Sequence, residues 1–185
     1  YMLEAVKKNQ GHDKILNYFH KFKGHRREYP VLTPAPIDII VTIFGVFIGI
    51  SLLSILTFVY HAPMLAAPFG ASAVLIYGIP DAPLSQPRNV ILGHTISAAI
   101  GVSTVQFCGM SWWSIALGVC SALLAMLLTK TTHPPGGATA LFAIISGAGP
   151  QFIFVPMFCG SLILVLIAVV VNNLSPNRSY PRYWF

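Results

Sequence analysis

The sequence predicts an all-α, polytopic membrane helical bundle of two repeats, each a span, a broken half-helix and a second span. Three observations predict it. Hydrophobic residues make up 55% of the 185 residues and charged ones only 9%, against about 25% charged in soluble domains. Long apolar runs free of Asp, Glu, Lys and Arg follow one another along the chain. Two short apolar segments, PFGASAVL from Pro68 and PGGATALF from Pro135, repeat one order of residue types 67 residues apart. Charge this scarce leaves too little polar surface to cover a water-soluble globule.

The first element, residues 1–33, is basic. Seven of the eleven Lys and Arg residues lie here, and the net charge of the whole is +6. Placed just before a membrane span, these charges point to anionic lipid headgroups on a cytoplasmic-type side, and not to nucleic acid. Ile15, Leu16, Phe19 and Phe22 fall at helical spacing with lysines between them, which predicts an interfacial amphipathic helix. The sequence opens at Tyr1, read as the start of a trimmed or processed product.

Residues 34–185 are the membrane domain, divided into repeat one (37–110), repeat two (111–173) and a tail (174–185). Four runs have spanning length: Ile39–Tyr60, Val90–Met110, Trp112–Leu128 and Phe152–Val171. Asp38 opens the first as a boundary or cap residue. The two short runs, Pro68–Ile79 and Pro135–Gly147, begin with proline and glycine, as broken or re-entrant helices do. The offset of 67 also aligns Pro83 with Pro150 and Gly93 with Gly160, so duplication is the better account of the likeness.

Charge decides the expected topology. If both short helices cross, there are six crossings, three per repeat. The N-terminal segment, the Asp81–Arg88 loop, Lys130 and the Arg178/Arg182 tail then share one side, as the positive-inside rule prefers. Three crossings per unit require the repeats to be inverted relative to each other. If the short helices are re-entrant, there are four crossings, and Arg88 and Lys130 change sides. Six is the expectation, although about 13 residues of helix cover only about 20 Å. Extended chain must complete the path.

A helix that starts inside a membrane aims unpaired N–H groups and a partial positive charge at its N-terminus. That end suits an anion, more so where water is scarce. Pro68, Gly70 and Ser72 form one such start; Gly136, Gly137 and Thr139 form the other. Glycine admits close approach, and the hydroxyls of Ser72 and Thr139 fall in register. Thr131, Thr132 and His133 supply donors before the second break, and Lys130 a cation at its edge. His61 stands comparably before the first break, although the register sets Ala66 opposite His133. Arg88, ahead of the third span, has a planar fork suited to small oxyanions.

Other residues have plainer readings. His94, within a span, is read as a structural histidine donating to a neighbouring helix. The aromatic residues at span ends form an interfacial belt. Cys108, Cys120 and Cys159 show no pairing pattern and read as buried apolar residues. No metal-ligand spacing, nucleophile motif, phosphate loop or intramembrane carboxylate is present in the sequence. The expectation is no metal, no cofactor and no catalytic residue, and hence not an enzyme.

THPPGGATAL, at Thr132–Leu141, resembles the signature of the HPP family of integral membrane proteins, named for His133, Pro134 and Pro135. PLSQPRNVILGHTISAAIGV, at Pro83–Val102, and the tail NRSYPRYWF resemble two further family segments. The resemblance runs from Tyr29 to Phe185. The family is usually described with four spans, where the charges here favour six. Members in plants and cyanobacteria are similar to nitrite transporters, in plants at the chloroplast envelope. The resemblance therefore implies transport of a small monovalent oxyanion, nitrite. It also implies a multi-pass protein of a plastid envelope, plasma membrane or bacterial inner membrane.

The expected function is thus a transporter or channel for a small monovalent anion held between the two helix starts. The expected partners are that anion, membrane lipids and a second copy of the chain. The alternative is a membrane scaffold acting through its basic N-terminal segment.

Overall fold

The computed structural model describes residues 34–184. The N-terminal basic segment and its expected amphipathic helix lie outside the described residues. Within them the fold is all-helical, with six main helices: α1 Pro36–Phe58, α2 Pro68–Gly78, α3 Pro87–Cys108, α4 Trp112–Leu128, α5 Pro134–Ile145 and α6 Cys159–Asn172. A wider turn of helix, Ile153–Phe158, leads into α6. Three helices are long and apolar enough to cross a membrane: α1, α3 and the composite Ile153–Asn172. The α4 helix, with 17 residues, covers about 25 Å. The α2 and α5 helices, with 11 and 12 residues, cover about 17 and 18 Å.

Proline sets most of the helix starts. α1, α2, α3 and α5 each have Pro at the first position, where the missing N–H would have had no partner and the ring pre-sets φ. Consequently α1 and α3 begin three residues before the apolar runs that mark them in the sequence. α4 has the boundaries its apolar run predicts, because Ser111 and Ser114 close a capping box at its start. The last run differs from a straight helix. Val155 is extended (φ −127°, ψ 111°) and Pro156 follows it. Proline removes an N–H and disfavours helical geometry in the residue before it.

Polar bonds gather several helix ends at one end of the bundle. Arg178, in the tail, donates through Nη2 to the Asp38 carbonyl (2.9 Å) and to Thr42 Oγ1 (2.8 Å). Its Nη1 donates to the Tyr77 carbonyl (2.9 Å) and Asn172 Oδ1 (3.1 Å). Nε lies 3.3 Å from the Asp38 carboxylate, with the two side chains 8% and 13% exposed. One guanidinium thus ties the start of α1, the end of α2 and the end of α6. Tyr180 Oη donates to the Ser85 carbonyl (2.8 Å), and Arg182 pairs with Asp81 (2.6 Å), fastening the tail to the loop before α3. Arg88 Nη2 donates to the Thr129 carbonyl (3.1 Å), which brings the end of α4 to the same place. Arg178→Ala should lower the melting temperature in detergent several times more than Arg182→Ala. The first strands buried acceptors, whereas the second breaks a pair about half exposed.

The two halves of the membrane domain exchange partners. α2 packs on α6, and α5 packs extensively on α3. Two glycines make this possible. A Cβ at Gly93 of α3 would stand 2.6 Å from His133 Cβ and 3.1 Å from the Thr131 carbonyl. A Cβ at Gly160 of α6 would stand 2.5 Å from the Phe69 ring and 3.2 Å from the Met64 carbonyl. The glycines are 67 residues apart, and so are the two carbonyls. Each segment before a short helix therefore lies against a glycine of the other half of the domain.

Candidate functional site

The short helices begin beside α3, and three of their polar groups converge on it. His94 lies two turns into α3, fully buried, about 10 Å from the helix start. Its Nε2 is 2.7 Å from Ser72 Oγ of α2, and its Nδ1 is 2.7 Å from Thr139 Oγ1 of α5. The two in-register hydroxyls thus share one imidazole. Ser72 Oγ is also 2.9 Å from His133 Nε2, and His133 Nδ1 is 2.8 Å from the Leu84 carbonyl. The imidazole rings of His94 and His133 are 5.0 Å apart, and the Phe69 ring meets His94 edge-on at 5.1 Å. Ser72, His94, His133 and Thr139 are all at 0% exposure.

Hydrogen-bond capacity fixes the direction of this series. A carbonyl only accepts, so His133 Nδ1 carries hydrogen and donates to Leu84. Neutral His133 then accepts at Nε2, from the Ser72 hydroxyl. Ser72 has a single hydrogen, so His94 Nε2 must donate to it. His94 Nδ1 in turn accepts from Thr139. His94, Ser72 and His133 each give one bond and receive one, and Thr139 gives one.

The other residues singled out in the sequence are placed as follows. Pro68 and Gly136 are buried at the two starts. Gly136 is packed, since a Cβ there would meet Ser97 Oγ at 2.8 Å and Met126 Sδ at 2.9 Å. Gly137 is half-buried and open: the nearest atom to a Cβ there is Val119 Cγ1 at 4.0 Å. Gly70 is exposed, with nothing within 4 Å. Thr131 is buried, its hydroxyl 2.7 Å from that of Thr129. The Thr132 carbonyl accepts from Asn89 (2.9 Å).

His61 and Lys130 are exposed and do not join the cluster. Both have φ 55°. Each follows a long helix, and the next amide caps that helix: Ala62 N–H on the Leu56 carbonyl and Thr131 N–H on the Met126 carbonyl, both 2.9 Å. His61 is therefore the counterpart of Lys130. The sequence offset of 67 missed this, because the step from His61 to Pro68 is two residues longer than the step from Lys130 to Pro135.

An apolar cavity of about 250 Å³ lies between the short helices, walled by Ala67, Pro68, Ala71, Ala138, Leu141 and Phe142. No side chain of the polar cluster lines it. Pro68 and Ala71 precede Ser72, and Ala138 precedes Thr139, so the polar series lies behind the cavity wall. Gly93→Ala should destabilise the protein by about 1–3 kcal/mol, the usual effect of overpacking, and should displace His133. Gly70→Ala should do neither, and melting temperatures of the two variants compare them directly. Among the described residues no group of three or more His, Cys, Asp or Glu stands together.

His94 stands at the centre of the cluster, bonded to both short helices, where sequence reasoning placed it only in a supporting role. The available signal was its rarity: it is the lone histidine inside a long apolar helix.

A family model described as HPP, transmembrane region, matches residues 32–181. Two transmembrane proteins of Dictyostelium discoideum are similar to this chain. One is 40% identical over 183 residues, covering 92% of this chain and 58% of the relative. The other is 39% identical over 183 residues, covering 92% of this chain and 64% of the relative. The chain thus spans less than two thirds of the length of either. No solved structure matches it.

Proposed function

We propose, on the premise that this chain belongs to the HPP transmembrane family, that it carries a small monovalent anion across a membrane. Nitrite is the substrate that the family resemblance implies. One observation carries the reading. Two short helices start inside the bundle, and their in-register hydroxyls bond to the two nitrogens of one buried imidazole. Such starts carry partial positive charge in a medium that magnifies it. The open approach at Gly137 supports α5 as the main anion cradle, with His133 and Thr139 beside it. Lys130 and Arg88, at the charged end, would draw the anion in.

The exchange of Gly93 and Gly160 between repeats supports an inverted pair in which all six helices cross. Rocking of one repeat against the other would then expose the site to either side. The role is transport and not catalysis. Purified protein in liposomes should take up nitrite above the rate of protein-free liposomes and saturate with concentration. Uptake equal to that of protein-free liposomes at several pH values would remove the transport reading.

A further inference from the structure

The buried series has a second arrangement with the same atoms. Put one more proton on it. His133 becomes an imidazolium, still donating from Nδ1 to Leu84 and now donating from Nε2 to Ser72. The Ser72 hydroxyl turns to donate to His94 Nε2. His94 shifts its hydrogen to Nδ1 and donates to Thr139 Oγ1. Thr139 turns to donate to the Pro135 carbonyl, which already lies 3.2 Å away. The protons balance: four on the neutral series, five on the charged one, with every bond reversed between Thr139 and His133. Moving between the two needs no heavy-atom rearrangement, only a hop along the contacts of 2.7, 2.7 and 2.9 Å.

We propose that Thr139, His94, Ser72 and His133 form a proton-binding relay, and that one proton travels on it with each anion. This deepens the transport reading and rests on it. The two charges need each other. An imidazolium in an apolar interior is costly without a counter-ion, and so is an anion. Held together at the start of α5 they sum to zero. The relay runs from Thr139, beside the apolar cavity, to His133, whose carbonyl partner Leu84 belongs to the loop at the charged end of the bundle.

The surroundings leave the two histidines to titrate with each other. α1 contributes Asp38, paired with Arg178. α2 contributes Tyr77, whose hydroxyl donates to the Leu164 carbonyl (3.2 Å). α3 contributes Arg88, bonded to the Thr129 carbonyl, and Cys108, which is exposed. α4 and α6 contribute Cys120 and Cys159. Lys130 is exposed ahead of α5, and Asp81 pairs with Arg182 in the loop near Leu84. None of these groups hydrogen-bonds to the relay, whereas the two rings face each other at 5.0 Å.

Two measurements test the relay. In liposomes with the membrane potential clamped to zero, an inward acid gradient should speed nitrite uptake above the protein-free rate. Uptake should deliver one proton per anion to an internal pH dye. His94→Gln, which keeps one donor and one acceptor but cannot pass a proton between them, should lose the acid-driven component. Uptake above the protein-free rate that ignores the gradient and moves no proton would overturn the relay and leave the transport reading intact. So would an undiminished acid-driven rate in His94→Gln. Absence of any uptake would instead remove the transport reading, and with it the coupling of the proton to an anion. The proton site itself is read without transport, by ¹⁵N NMR of the histidines across pH. His94 should change from the Nε2–H to the Nδ1–H tautomer as His133 charges, and this change should vanish in His133→Gln. A single His94 tautomer at every pH would overturn the relay whatever the flux.

Discussion

Ser72→Ala is expected to destabilise the folded protein by about 1–3 kcal/mol for each of two buried nitrogens that it strands. The serine hydroxyl serves both His94 Nε2 and His133 Nε2, and both side chains are fully buried. No second partner stands by for either nitrogen among the described residues. Thr139→Ala removes a hydroxyl too, yet it strands only His94 Nδ1. Replacing His94 itself strands less, because both hydroxyls retain a carbonyl of their own helix, Pro68 at 3.3 Å and Pro135 at 3.2 Å. The expected order of lost stability is therefore Ser72→Ala above Thr139→Ala. Thermal melting of the two variants in one detergent checks it. Equal melting temperatures would show that Ser72 is not the shared partner.

Gly137→Val is expected to leave the fold intact and to reduce nitrite uptake to that of protein-free liposomes. The fold should survive because the nearest atom to a Cβ at this position is 4.0 Å away, ordinary contact distance. Valine in a helix interior is also no worse than glycine in propensity. Uptake should fail because the branched side chain covers the open face of the α5 start, where close approach of an anion needs bare backbone. The neighbouring glycine gives the contrast. A Cβ at Gly136 would press on Ser97, Met126 and the Gly93 carbonyl, so Gly136→Val should fail to fold. A melting curve recorded beside each uptake assay separates lost flux from lost structure. A folded Gly137→Val variant with the wild-type rate would remove the close-approach argument.

What the sequence made legible is what local chemistry determines. Apolar runs give helices, and prolines give their starts. The recurrence of PFGASAVL as PGGATALF put Ser72 and Thr139 in register before any coordinates. The same offset pairs Gly93 with Gly160, although the close approach at each shows only in the fold. What stayed hidden depends on which faces meet across the bundle. His94 reads as a lone polar residue on an apolar helix, and only packing shows both short helices reaching it. Arg178 reads as one more tail charge, and only the fold brings the Asp38, Tyr77 and Asn172 acceptors around it. The kink at Val155 was signalled by Pro156, but an unbroken apolar run concealed it. The pairing of His61 with Lys130 was lost to a two-residue difference in length. The equivalence shows in their shared backbone conformation and not in their side chains.

The claim on which the rest depends is that an anion sits at the α5 start beside His133 and Thr139. Crystals grown with and without nitrite, at a resolution that separates a three-atom anion from water, test it most directly. The expected result is nitrite-dependent density against the open face of Gly137, within about 3.3–3.6 Å of its Cα. Density confined to surface cations such as Lys130 and Arg182, or none near the short helices at saturating nitrite, would contradict it.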